Sequence, residues 1–220
     1  MVTIVIGSVP TEELALTHTF ERCPEATFES ERIIESGDDA VMPLLWARNA
    51  DRASLEAAIA DDPTVADASM LADFGDELLY WIDWIEGVQT LLYTLTTSPA
   101  TILDAHGRRD GWRLRLLFPS RSHLSETHDR CREHGMSFAI ESIREMDRQP
   151  SGRFGLTEGQ YHALLTAVEH GYYDVPQRRT LKELAEEFDI SHQALSERLR
   201  RGTESLIEDT LLVGDRYRGG

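Results

Sequence analysis

The residues with the most evident chemistry lie in one short run, Ser191-His192-Gln193-Ala194-Leu195-Ser196-Glu197-Arg198-Leu199-Arg200-Arg201. Carboxamide and guanidinium groups carry forks of donors and acceptors that match base edges: glutamine suits adenine, and arginine suits guanine or phosphate. Arg198, Arg200 and Arg201 make this the most basic spot in the chain, and Arg178-Arg179 stand just upstream. Leu195 and Leu199, four apart, would turn inward on a helix and leave the polar groups outside. The expected partner is double-stranded DNA, with a recognition helix over about 192–203 in the major groove. Gln193, Ser196 and Arg200 are expected at base edges. Ser191, His192, Arg201, Arg178 and Arg179 are expected near phosphate.

Other constellations are weaker. His123, His128, Cys131 and His134 fall in one predicted helix, and His128 and Cys131 at i and i+3 could share a soft metal. No paired Cys-x-x-Cys accompanies them, so a solvated helix with a buried cysteine is the preferred reading, with neither metal nor cofactor. Cys23 and Cys131 make no disulfide framework, and a redox switch between them is the alternative to two packed thiols. Tyr80, Trp81, Trp84 and Tyr93 could line a small-molecule effector site, although core or a dimer face is the plainer role. No Gly-rich phosphate loop, Gly-x-Ser-x-Gly elbow or His-Glu-x-x-His occurs, so no enzyme is expected.

The elements that must hold the basic run are legible in residues 156–212. Thr157 caps a helix over Glu158–His170, with Tyr161, Leu164, Leu165 and Val168 as its apolar face. Gly171-Tyr172-Tyr173-Asp174-Val175-Pro176 breaks it. Thr180 and Glu183 form a capping box before a helix over Leu181–Phe188. Asp189-Ile190 turns the chain, and Ser191 caps the last helix, His192 to about Leu211. Ala185 is small enough for a helix crossing, and Ile190 can plug the turn. This is helix-turn-helix spacing.

The earlier residues alternate between strand and helix. Strands are expected at Val2–Val9, Ala26–Ile34, Val41–Arg48, Val65–Phe74, Leu78–Ile85, Thr101–Ala105, Trp112–Leu116 and Ser137–Ile143. Helices are expected at Glu12–Arg22, after Asp51 through Ala60, at Glu86–Thr97, and from Ser120 or Ser122 to His134. The order over residues 41–105 is β-α-β-β-α-β, the split unit of ferredoxin-like folds, and the flanking pieces 2–34 and 112–143 could combine into a second unit. The expected class is therefore α+β: a ferredoxin-like sandwich region of one or two units, then an all-α helix-turn-helix domain. The boundary is placed at the Pro- and Gly-bearing run 149–155. That gives a regulatory or dimerisation domain over 1–150 and a DNA-binding domain over 151–220.

Composition bears on solvent and partner. The 220 residues carry 39 acidic and 22 basic side chains, a net charge of −17. Lys182 is the single lysine, so 21 of the basic residues are arginine. Acidic groups hold water and cations, whereas lysine's apolar stem is a liability in strong salt, so the bias points to a cell with molar internal salt. Residues 1–150 have 27 acidic against 13 basic groups, net −14, whereas 151–220 have 12 against 9, net −3. The second part repels a polyanion less. No apolar run reaches the roughly 20 residues of a bilayer span. Met1–Ile6 lacks the basic start and long apolar run of a signal peptide, so a cytoplasmic protein is expected.

Leu156-Thr157-Glu158-Gly159-Gln160, Gly171-Tyr172-Tyr173-Asp174-Val175-Pro176, Leu184-Ala185 and Ile190–Gly202 resemble the C-terminal helix-turn-helix of haloarchaeal bacterio-opsin-activator-type regulators. Val41-Met42-Pro43 and Trp112 more loosely resemble landmarks of the α/β domain that precedes it in that family. The resemblance implies a DNA-binding transcription regulator. A homodimer is expected, because one small helix-turn-helix gives a short footprint. The alternative is a protein-interaction or small-molecule or redox-sensing module that does not touch DNA.

Overall fold

A computed structural model describes residues 1–31, 44–96, 100–145 and 155–210. The chain divides into two compact units, Met1–Glu145 and Met146–Gly220. The first holds β1 (Thr3–Val9), α1 (Thr17–Arg22), β2 (Thr27–Ser30), β3 (Leu44–Arg48), α2 (Arg52–Ala60), β4 (Val65–Asp73), β5 (Glu77–Trp84), α3 (Glu86–Thr96), β6 (Thr101–Arg108), β7 (Gly111–Phe118), α4 (Arg121–Glu133) and β8 (Ala139–Glu145). The second holds α5 (Glu158–Glu169), α6 (Leu181–Glu187) and α7 (His192–Thr210). The expected strand segment 32–34, Val41-Met42-Pro43 and most of the boundary run lie outside the described residues.

Among the described residues, the strands form one eight-stranded sheet, ordered β4-β5-β3-β2-β6-β7-β1-β8. Every neighbouring pair is antiparallel. Period-2 alternation divides the sheet into two faces. Val5, Leu116 and Leu114 lead through Ala105, Gly107, Phe28, Ala47 and Leu78 by direct register pairing or alternation, so they share a face. These residues are buried with Phe20, Leu55, Ile59, Leu92, Leu95, Leu124 and Cys131 from the four helices in a single core. At roughly 25 cal/mol per Å² of apolar surface removed from water, this layer is the main stabilising term of the unit.

The ferredoxin-like expectation needs one correction. The strand order reads the same from either end when each strand is exchanged with the one four places on. The repeats are therefore β1-α1-β2-β3-α2-β4 and β5-α3-β6-β7-α4-β8, not residues 41–105 with two flanks. Their first strands are also exchanged: β5 lies between β4 and β3, and β1 lies between β8 and β7. The tight hairpin at Gly75, φ +85°, forces β5 beside β4. β2 then occupies the side of β3 that β6 would need in the expected unit.

The helix expected over Glu12–Arg22 is also broken. A single 3-10 turn covers Thr11–Glu13, and α1 starts only at Thr17. Leu14, Ala15 and Leu16 between them are all buried, which consecutive residues of one helix face cannot achieve. Leu16 takes φ +66°. The Trp112 indole N–H donates to the Ala15 carbonyl at 2.9 Å, and the Leu16 N–H donates to the Thr64 hydroxyl at 3.0 Å. Tertiary partners thus replace helical ones. β6 runs on to Arg108, past the expected end at Ala105, so His106 and Gly107 are strand residues. Among the described residues, no helix is long and apolar enough to cross a membrane.

Candidate nucleic-acid interface

The second unit is built from two capped entries. Thr157 and Gln160 form a reciprocal capping box at the start of α5. Thr180 and Glu183 form another at α6: the Glu183 N–H donates to the Thr180 hydroxyl oxygen at 3.3 Å, and the Thr180 N–H donates to Glu183 Oε2 at 2.7 Å. The Thr180 N–H, and then the Thr180 hydroxyl, which donates to Glu183 Oε2 at 2.8 Å, hold the Glu183 carboxyl below its ordinary pKa. Asp189 takes the left-handed φ of +51°, which a short polar side chain tolerates. The Ile190 N–H returns to the Ala185 carbonyl at 3.1 Å, and Ile190 packs on the core. The Ser191 hydroxyl accepts from the Ala194 N–H at 3.1 Å, opening α7.

Ala163, Ala167, Leu184, Ala185, Leu195 and Leu199 form the core, with Leu164, Leu181 and Phe188 partly buried against it. The expected α5 face is displaced: Leu165 and Val168 are exposed, and Ala163 and Ala167 take the inside. Small side chains permit a close approach of α5 to α7. Gly202 carries this furthest, since a Cβ there would lie 2.8 Å from Leu164 Cδ1. Ala185 was expected at the crossing and Gly202 was not, although its signal was a glycine seven residues after Leu195.

Burial of Leu195 and Leu199 fixes what α7 shows to solvent. Gln193, Ser196 and Arg200, spaced three and four apart, lie along one stripe of the helix. Gln193 and Arg200 are exposed and Ser196 is half-buried. Ser191, His192 and Arg201 are exposed as well, with Arg201 3.4 Å from Glu197. Arg198 departs from the expected basic cluster. It is half-buried, and its guanidinium lies 3.7 Å from the position a Cβ on Gly159 would take, so it is turned toward α5. Arg178 and Arg179 are exposed in the loop before α6. Arg178 is already paired with Asp174, folded over Gly171, where a side chain would collide with both. Lys182 is exposed on the first turn of α6, a cation the sequence reading left out of the site.

The other constellations separate. Tyr80 and Trp84 point into the core of the first unit, whereas Trp81 points to the opposite face, as alternation along β5 requires. These aromatics do not line one pocket. Cys23 and Cys131 are both free and buried. Burial pushes the Cys131 thiol up to about 11. His123 Nδ1 lies 2.8 Å from the Ser120 hydroxyl. Among the described residues, three ligand atoms converge at Glu29, Asp104 and His106, not at the α4 histidines.

Capped helices about a plugged turn, with a buried inner seam and a polar outer stripe on the second, define the helix-turn-helix class of DNA-binding protein. Residues 156–208 match the family described as HTH DNA binding domain. Residues 11–156 match the GAF and HTH_10 associated domain, and the chain belongs to the bacterio-opsin-activator family. The dimethyl sulfoxide reductase transcriptional activator of Haloferax volcanii is 54% identical over 44 residues in the helix-turn-helix region, 20% of this chain and 21% of that protein. The chain thus matches about a fifth of that relative's length.

Proposed function

We propose that this protein is a sequence-specific transcription regulator of a halophilic archaeon, acting as a cytoplasmic homodimer on double-stranded DNA. The start of α7 enters the major groove. Gln193, Ser196 and Arg200 read base edges, and Ser191, His192, Arg201, Arg178 and Arg179 hold phosphates. The first unit serves regulation or dimerisation. The carrying observation is that Gln193 and Arg200 are exposed, with half-buried Ser196 between them, while Leu195 and Leu199 are buried. The name of the Haloferax volcanii relative supports a role in transcription. The nearly lysine-free, net −17 composition supports a saline cytoplasm.

Selection from a pool of random duplexes in molar KCl tests the reading. Salt suppresses non-specific phosphate binding steeply, with a log–log slope of about −0.9 per phosphate contact, so what survives is base readout. An enriched motif with two-fold symmetry is the expected result. A pool that emerges without any enriched sequence contradicts it.

A further inference from the structure

The sheet face opposite the core carries a group that DNA binding does not use. β2 and β6 meet in two register pairs, Phe28 with Gly107 and Glu29 with His106. This seam lies at the middle of the strand order, where its two halves meet. Phe28 belongs to the core, so Glu29 and His106 face each other on the other side of the sheet. Asp104 precedes His106 by two residues on β6 and shares that side.

The three side chains each offer a ligand atom, and those atoms lie within 4.8 Å of one another. His106 Nε2 is 2.9 Å from Asp104 Oδ1. Even so, among the described residues this buried nitrogen has no hydrogen-bond partner. The two groups are close without being aimed at each other. Two neighbouring ligand atoms of an octahedral site, each about 2.1 Å from the cation, stand about 3 Å apart. The 2.9 Å separation fits such an edge. The surroundings are dry, with the Asp104 side chain 5% exposed and that of His106 12%. Arg48 takes Glu29 Oε2 at 2.6 Å, and a carboxylate has a second oxygen to give. Arg113, across from His106 in the register, is held by Glu141 at 2.8 Å.

We propose that Glu29, Asp104 and His106 form a binding site for a divalent first-row transition cation. One imidazole with two carboxylates suits zinc, manganese or iron(II), whereas magnesium and calcium prefer oxygen alone. The ligands come from both repeats, so a bound cation staples the seam between β2 and β6. It stabilises the folded chain by mass action.

The test uses the full-length chain, stripped with a chelator and titrated in KCl with Zn²⁺ alone and, separately, Co²⁺ alone. The expected result is about one equivalent bound, a raised melting temperature, and visible Co²⁺ bands of nitrogen and oxygen ligation. His106→Gln and Asp104→Asn each weaken binding at least about tenfold, with the far-ultraviolet circular dichroism unchanged. His128→Gln keeps wild-type affinity. Glu29→Gln repeats the comparison should a β6 variant fail to fold. Absence of binding to the wild type at millimolar metal overturns the proposal. So does full affinity in His106→Gln, or a loss that follows His128 instead.

Discussion

Asp62 does more for the first unit than its charge suggests. Its carboxylate, in a residue only 2% exposed, accepts from the Thr19 N–H and hydroxyl at 2.8 Å each. It also accepts from the Thr64 N–H at 3.0 Å and hydroxyl at 2.5 Å. It thereby pins the start of α1 to the α2–β4 connection. Removing the acceptor orphans buried donors, so Asp62→Ala is expected to cost about 3 kcal/mol or more in chemical denaturation at fixed KCl. A loss under about 0.5 kcal/mol, typical of a surface change, would show that the hub is dispensable. The sequence does not mark Asp62 as a hub, because Thr19, the partner that ties it to α1, lies 43 residues away. The outward stripe of α7 was readable, since Leu195 and Leu199 fix the inside of the helix by period alone. Arg198 was not, because its direction depends on Gly159, in another helix.

At the scale of elements, local chemistry was legible wherever a cap or turn decided the outcome. Asp51 caps α2 by accepting from the Ser54 N–H at 3.0 Å, Gly75 turns a hairpin, and Thr180 opens α6. Legibility failed where a distant group intervened. The Trp112 indole and the Thr64 hydroxyl break the helix expected at Leu14–Leu16. The capping box at α6 gives two predictions. Thr180→Ala loses the side-chain acceptor and is expected to destabilise the chain by about 1 kcal/mol, measured by denaturation at neutral pH. Glu183 has its folded pKa lowered by the Thr180 bonds, so its contribution is complete above the ordinary glutamate value and is lost as pH falls through the lowered one. The wild type's stability advantage over Glu183→Gln should therefore shrink on acidification through that range. An advantage that grows toward low pH would contradict the assignment.

The whole molecule joins an exchanged pair of repeats to a small helical unit. The topology was legible as eight strands and four helices in the right order, but not as an exchange, because alternation specifies faces and not neighbours. Net charge acts at this scale too. A charge of −17 repels itself at low ionic strength, and screening shortens the Debye length from about 10 Å at 0.1 M to about 3 Å at 1 M. The melting temperature should rise across that range of KCl, whereas a flat profile would detach the acidity from stability. The acidity leaves the outward stripe of α7 as the local exception, and the proposed recognition of DNA rests on that stripe. The most direct measurement is fluorescence anisotropy of the full chain on its selected duplex in KCl, wild type against Gln193→Ala and Arg200→Ala. Each variant is predicted to lose about 1–3 kcal/mol of affinity and to relax preference at a discrete base position, with helix content unchanged. Affinity and sequence preference that survive both substitutions would contradict the recognition role of α7.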